Sequence, residues 1–123
     1  MIWENFSAEE FECKHCGKNN ISYAFIDKLQ SLRDECKFPF IITSGYRCKD
    51  HPVEKTKSKP GTHTEGIAAD ILVSGSQAYK LVSCAHKHGF TGIGVKQKGN
   101  ERFIHLDSKE HSEEKTRPYI WSY

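Results

Sequence analysis

Residues 61–70, GTHTEGIAAD, place a histidine and an aspartate seven positions apart with a glycine between them. Along an α-helix this separation spans about 10 Å, whereas a zinc ion holds its ligand atoms only about 2 Å away. A β-strand would separate the two side chains further and direct them to opposite faces of a sheet. His63 and Asp70 can therefore serve one site only if the chain turns between them. Gly66 tolerates such a turn, because a residue without Cβ adopts positive φ readily.

The length and composition are those of one small globular domain. The chain has 123 residues, with 37% hydrophobic and 28% charged residues, and we expect residues 1–123 to form a single domain. The formal charge of +2 is too small to indicate nucleic-acid binding. No apolar run approaches the roughly 20 residues of a membrane span. The first residues, MIWENFSAEEF, lack the features of a signal peptide, so we expect synthesis in the cytoplasm.

The order of helical and strand patterns predicts an α+β domain with an antiparallel sheet packed by helices. NFSAEEF is typical of a helix start, with Ser7 as N-cap and Glu10 as its capping-box partner. A second helix is expected after Ser22, and a third over SGSQAYKLVSCAHKHG. Residues 48–62 are polar and predict a long loop. Strands are expected in FIITS, IAADILV, FTGIGV and RFIHLD, and RPYIWSY is expected to be an edge strand or a packed tail.

The segment RFIHLD offers a third candidate ligand. The strand period of two puts His105 and Asp107 on one face and apolar residues on the other. Burying both polar side chains requires a partner, because an unpaired buried charge is costly. His63, Asp70 and His105 would supply two imidazoles and one carboxylate. A tetrahedral zinc ion held in this way keeps one position open for water, which is the catalytic arrangement.

Three motifs together resemble the peptidase M15 family of metallopeptidases: SGYR at 44–47, HTEGIAAD at 63–70 and FIHLD at 103–107. This family includes zinc D-Ala-D-Ala carboxypeptidases and phage L-alanyl-D-glutamate endopeptidases. The resemblance runs from about Asn5 to Trp121 and is to the short, single-domain branch. It implies a fold like that of the DD-peptidases and of the Hedgehog signalling domains, and the latter warn that the fold does not guarantee catalysis.

The resemblance implies zinc at His63, Asp70 and His105, and an Arg47 that stabilises the negative oxygen on the attacked carbonyl. The alternative for Arg47 is a salt bridge that pins the loop. The implied activity is zinc-dependent hydrolysis of a peptide bond in the stem or cross-link of bacterial peptidoglycan, by a monomer, in cell-wall lysis or remodelling. The protein would act after release from the cell or as part of a phage particle.

The general base is less well defined. Several members of the wider family place a catalytic carboxylate three residues before the last zinc histidine, where this chain has Arg102. Asp107 lies two residues after His105 and Glu101 lies four before it, and we expect Asp107, ahead of Glu101, to be the base. Asp107 could instead hold the ring of a zinc histidine. The missing carboxylate also leaves an alternative function, a catalytically inactive, zinc-stabilised binding module of the same fold.

The chain has five cysteines, so at least one is unpaired within it. Cys13-x-x-Cys16 and Cys48-x-x-His51 have the spacing of zinc-ribbon ligands, and one interpretation is a structural zinc that ties two loops together. The interpretation we prefer is small buried thiols and a surface histidine, because free cysteines are often buried. A nucleic-acid-binding ribbon would need basic and aromatic residues around the cysteines, and the sequence does not have them clearly.

Overall fold

The computed structural model describes residues 2–123, which form three α-helices, two 3₁₀ turns and a five-stranded sheet. No helix in that range is both long enough and apolar enough to cross a membrane. The helices are α1 (Tyr23–Cys36), α2 (Pro52–Lys55) and α3 (Gly75–Ala85), and the 3₁₀ turns are Ala8–Phe11 and His86–His88. The strands are β1 (Ile41–Ser44), β2 (Ala68–Leu72), β3 (Gly92–Lys96), β4 (Phe103–Asp107) and β5 (Tyr119–Ser122).

The sheet has the strand order β1-β2-β4-β3-β5 and confirms the α+β class. The first four strands in this order pair antiparallel, as expected, whereas β5 pairs parallel to β3. The parallel pair has a simple origin. Strand β3 already occupies the free edge of β4, and β5 pairs with the outer edge of β3. Because β3 and β5 both run opposite to β4, this last pair is parallel. The sheet is therefore mixed rather than wholly antiparallel.

Helices α1 and α3 cover one face of the sheet. Helix α1 begins after Ser22, as predicted, whereas α3 ends at Ala85 and the rest of the predicted third helix is the 3₁₀ turn His86–His88. The Ser22 hydroxyl accepts a hydrogen bond from the Phe25 N–H at 3.2 Å and so caps the first turn of α1. The helix ends at Lys37, which is left-handed with φ 60°. Apolar side chains from the helices and the strands form one core: Phe25, Ile26, Leu29, Leu32, Ile71, Leu81, Ala85, Ile104 and Leu106.

Two local predictions need correction. NFSAEEF forms a single 3₁₀ turn, although the capping box is present and the Ser7 N–H donates to the Glu10 carboxylate at 2.7 Å. The long loop contains α2, which begins with Pro52 at its first position, where a missing N–H costs nothing. His51 caps this helix, because its Nδ1 accepts a hydrogen bond from the Val53 N–H at 3.1 Å. One helical turn is too short to give a periodic signal in the sequence.

The opposite face of the sheet carries the polar residues predicted to form the site. The register pairs Asp70 of β2 with His105 of β4, His105 with Gly94 of β3, and Gly94 with Trp121 of β5. Ser44 of β1 pairs with Asp70 on the other side. Residues paired in this way face the same side of a sheet, so one row of positions crosses all five strands, with side chains on every strand except β3, where Gly94 has none.

Candidate metal centre and active site

The three predicted metal ligands converge on one point. His105 Nδ1 lies 3.2 Å from His63 Nε2 and 3.2 Å from Asp70 Oδ1. His63 Nε2 lies 3.3 Å from the same carboxylate oxygen. All three residues are buried, with at most 5% of their surface exposed. The sheet register positions two of them, and the turn before β2 brings in the third.

That turn requires its glycine. Gly66 has φ 76°, in the left-handed region expected from the sequence. A Cβ at this position would lie 2.1 Å from the Asn20 carbonyl oxygen, and the Gly66 carbonyl accepts a hydrogen bond from the Ser22 N–H at 2.8 Å. The turn is therefore packed against the start of α1. This close packing holds His63 over the ends of Asp70 and His105.

The hydrogen bonds of the two imidazoles fix which nitrogens carry lone pairs. A carbonyl only accepts, so His63 Nδ1–H donates to the Gly45 oxygen at 2.7 Å. His105 Nε2–H donates to the Asp107 carboxylate at 2.8 Å. In the neutral rings, the lone pairs of His63 Nε2 and His105 Nδ1 then face each other and the Asp70 carboxylate. Three acceptors without a donor between them need a cation, and two nitrogens with one oxygen fit zinc.

The electrostatics of the two histidines differ. Burial lowers the pKa of His63, and the hydrogen bond that a protonated ring would donate to Asp70 only partly opposes this effect. Burial also disfavours charge on His105, but the hydrogen bonds that its protonated ring would donate to Asp107 and Asp70 outweigh burial and raise its pKa. The pKa of the Asp70 carboxyl stays well below its usual range, because hydrogen bonds from protonated His105 and His63 would outweigh its burial. Asp70 therefore stays ionised beside the two imidazoles and favours a cation, a proton or a metal ion, between them.

Arg47 lies beside this group and is held on three sides. Its Nε–H donates to the Ser44 hydroxyl at 2.9 Å, Nη1 donates to Glu54 at 3.2 Å, and Nη2 donates to Asp70 Oδ2 at 3.2 Å. Each terminal nitrogen of a guanidinium carries two N–H groups, so each keeps one more donor. Arg47 therefore makes the ion pairs of a loop anchor and still has donors for a bound carbonyl oxygen.

Glu54 is a site residue that the sequence analysis missed. It is 4% exposed, and its carboxylate accepts hydrogen bonds from Arg47, Lys57, the Gly61 N–H and the Thr64 hydroxyl. Burial alone would raise the pKa of this carboxyl, but the bonds from Lys57 and the Gly61 N–H lower it to about 2. Glu54 thus joins Arg47 to the segment that leads into the HTEG turn. The only local feature of the sequence that indicates the helix carrying Glu54 is Pro52, at its first position.

Asp107 is fully buried and accepts four hydrogen bonds. His105 and Arg117 Nη2 each donate to Oδ2 at 2.8 Å, while Arg117 Nε and the Lys109 N–H donate to Oδ1 at 3.0 and 3.2 Å. The bonds from His105 and Arg117 outweigh burial and hold the pKa of this carboxyl well below its usual range. A Cβ at Gly92 would lie 2.2 Å from Oδ2, so this neighbour has to be glycine. These contacts favour a role in holding the His105 ring.

Glu101 is placed differently. It is exposed, lies in the turn between β3 and β4 and has φ 55°, an uncommon conformation for a residue with a side chain. It lines a cavity of about 390 Å³ whose wall also includes Arg47, Asp70 and Phe103. Its carboxylate makes no ion pair within residues 2–123. Glu101 is therefore an accessible carboxylate next to the site.

The candidate ligands open into a second cavity of about 390 Å³. Its walls are basic and aromatic. The Trp121 ring lies 5.1 Å from the His105 ring, and the Arg117 guanidinium lies 5.3 Å from the Trp121 ring. The other charged and aromatic residues of the wall are Arg47, Lys57, Lys115, Phe103 and Tyr123.

The cysteine motifs also come together, but without the predicted histidine. The sulfur atoms of Cys13, Cys16 and Cys48 lie within 4.8 Å of one another, and neither His51 nor His15 belongs to this group. The nearest imidazole contact is His15 Nδ1, which lies 3.6 Å from Cys48 Sγ. Burial raises the pKa of Cys13, but backbone N–H groups, led by that of Cys48, lower it to about 7.

The sequence matches the family model described as Peptidase M15 over residues 4–107. This span contains the three candidate ligands together with Arg47, Glu101 and Asp107. The search of curated proteins gave no match.

Proposed function

Because the chain belongs to the peptidase M15 family, whose peptidases are zinc-dependent, we propose that it is a zinc metallopeptidase that cleaves bacterial peptidoglycan. The bond would lie in the stem peptide or the cross-link. The observation that carries the proposal is the convergence of His63 Nε2, His105 Nδ1 and Asp70 Oδ1 within 3.3 Å. His63, Asp70 and His105 would hold a zinc ion, which would supply Lewis acidity to polarise a carbonyl and to lower the pKa of water.

The charge of the cavity into which the candidate ligands open supports an acidic peptide as the substrate. Four cationic side chains line it, and Arg47 and Arg117 are partly neutralised by buried carboxylates. Lys115 also lines the cavity and makes no ion pair within residues 2–123. Cationic walls attract anionic ligands, and the stem peptides of peptidoglycan carry free carboxylates.

In this proposal, Arg47 binds the oxygen of the attacked carbonyl as its negative charge develops. The remaining N–H on each terminal nitrogen would donate to that oxygen. Glu54 and Asp70 hold the guanidinium in place before substrate binds, so little reorganisation is needed at the moment of reaction. Arg47 would then fill both roles that the sequence offered as alternatives, because the ion pairs that anchor its loop also position it to bind the oxyanion.

The sequence favoured Asp107 over Glu101 as the general base, and the structure leads us to propose the reverse. Asp107 is buried and its four hydrogen bonds leave it little capacity to accept a further proton, so we assign it to positioning the His105 ring. Glu101 is exposed and shares a cavity with Arg47 and Asp70. It is accordingly the carboxylate proposed to take a proton from water and return it to the leaving amine.

The direct test is digestion of purified peptidoglycan. We expect the zinc-loaded protein to release soluble peptides, and we expect the release to stop when a chelator has removed the metal and to return when zinc is restored. Mass spectrometry of the products identifies the bond that is cut. Zinc-loaded protein that binds peptidoglycan without releasing peptides would instead favour the inactive binding module. Full activity of protein shown to be free of metal would exclude a metallopeptidase.

The variant Arg47→Lys tests the oxyanion role. Lysine keeps the charge that Glu54 requires but lacks the planar fork of donors. We expect a folded protein with unchanged zinc content and a loss of roughly 3 kcal/mol of transition-state stabilisation, or about two to three orders of magnitude in kcat. Ser44→Ala is the matched control, because it removes only the Nε contact and should cost far less. A loss below about tenfold for Arg47→Lys would make this residue a loop anchor only.

A further inference from the structure

Three cysteine sulfurs lie together outside the proposed active site. Cys13 and Cys16 come from the loop after the first 3₁₀ turn, Cys48 follows the SGYR segment, and all three sulfurs lie within 4.8 Å of one another. A tetrahedral zinc ion with bonds of about 2.3 Å places its sulfur ligands about 3.8 Å apart. Side-chain rotations that bring the sulfur atoms closer by at most about 1 Å would close that difference. We propose that Cys13, Cys16, Cys48 and His15 bind a second, structural zinc ion.

The backbone around Cys13 is arranged as a metal-binding loop. The Gly17 N–H donates to the Cys13 carbonyl at 2.8 Å, and the Cys13 N–H donates to the Lys18 carbonyl at 2.7 Å. This tight turn brings Cys16 back beside Cys13. The Cys48 N–H points at Cys13 Sγ over 3.3 Å and stabilises negative charge on that sulfur. Three thiols cannot all be joined by one disulfide, whereas soft thiolates together are preferred ligands of zinc.

The fourth ligand is His15 rather than the histidine expected from the sequence. His15 Nδ1 lies 3.6 Å from Cys48 Sγ, and a nitrogen and a sulfur bound to one tetrahedral zinc ion lie about 3.5 Å apart. His51 Nδ1 is already occupied, because it accepts the Val53 N–H that starts α2. In the neutral ring, Nε2 then carries the proton and has no lone pair for a metal. We therefore assign His51 to capping α2 and not to binding the metal.

The ion would hold together a part of the molecule that has little apolar packing. Cys13, Tyr46 and Cys48 form a small buried cluster separate from the main core. The Tyr46 N–H donates to the Phe11 carbonyl at 2.7 Å, so the two cysteine-bearing segments already run side by side. Small apolar clusters gain stability from a bound metal more than from burial. A zinc ion here would fix residues 45–48, which include Arg47 and the Gly45 carbonyl that holds His63.

Metal content tests this inference independently of catalysis. We expect two zinc ions per chain in the wild type, one in Cys16→Ser, one in His63→Ala and none in the double variant, measured by elemental mass spectrometry after removal of loosely bound metal. Cys16 is exposed, so serine should not disturb the core. Cys84→Ser, in the half-buried part of α3, is the matched control and should keep both ions. Unchanged zinc content in Cys16→Ser would overturn the site, whatever the state of the active site.

Three further measurements identify the ligands. In a His63→Ala background, we expect His15→Gln to lose the remaining zinc ion or bind it more weakly, and His51→Gln to retain it; the reverse result would exclude His15. Cobalt bound in place of zinc in this background should show thiolate-to-metal charge-transfer absorption that Cys16→Ser weakens. Alkylation of the denatured, metal-free protein should count five free thiols. Peptide mapping that places Cys13, Cys16 or Cys48 in a disulfide would contradict the zinc site.

Discussion

Replacing His63 with alanine is expected to abolish peptidoglycan hydrolysis and to lower the Tm only modestly. The substitution removes one of three ligand atoms that lie within 3.3 Å of one another. The strands that carry Asp70 and His105 keep their pairing, and the helices pack on the other face of the sheet. The loss of stability is therefore limited to the His63–Gly45 hydrogen bond and to the binding energy of the metal.

Turnover and zinc content, both measured at one fixed zinc concentration, check this result. His86→Ala is a suitable control, because His86 is exposed and lies in the 3₁₀ turn after α3, outside both cavities near the site. It should change neither quantity. Wild-type turnover by His63→Ala would remove His63 from the metal centre and would leave the proposed function without its central observation.

The second large effect separates the two carboxylates. Glu101→Gln should bind zinc normally while kcat falls by about 10² to 10⁴, which is the usual contribution of a general acid–base group. Glutamine has nearly the same shape as glutamate but cannot take a proton from water. Since Glu101 is exposed and unpaired within the described residues, we expect no change in the Tm.

Asp107→Asn should give the opposite pattern. An asparagine still reaches the His105 ring, but it holds the ring less firmly, so we expect zinc affinity to fall by about 10- to 100-fold and activity to return with excess zinc. The Tm should fall as well, because the buried Arg117 loses its carboxylate. If Asp107→Asn is inactive with zinc fully bound while Glu101→Gln turns over normally, Asp107 is the base and the assignment made from burial is wrong.

The parts of the fold that follow from local patterns could be predicted from the sequence. The period of two in FIHLD places His105 and Asp107 on one face, and the capping serine marks the start of α1. Gly66 marks the turn that brings His63 toward Asp70, and its positive φ has the expected sign. Each of these features depends on residues fewer than ten positions apart, where sterics and periodicity dominate.

The parts that were missed depend on contacts between distant segments. Arg117 lies ten residues beyond Asp107 in an irregular stretch, and no spacing rule connects the two side chains. Glu54 reaches its place only because a one-turn helix forms within a polar segment. The choice between His15 and His51 depends on how the two cysteine loops meet, since both histidines have reasonable spacing in the sequence. Such contacts require the three-dimensional arrangement of the chain.

The pairing of Asp70 with His105 has a consequence for which ions the site accepts. Two of the candidate ligands stand on adjacent strands at directly opposite positions, so their separation depends on the backbone spacing of an antiparallel pair, about 4.5 to 5.5 Å between Cα atoms. In the proposed metal centre, we expect this backbone spacing to favour a small ion over a larger one with six to eight oxygen ligands, as Ca²⁺ prefers. Exchanging one ligand side chain should then alter the affinity for nitrogen-preferring ions more than it alters this preference for a small ion.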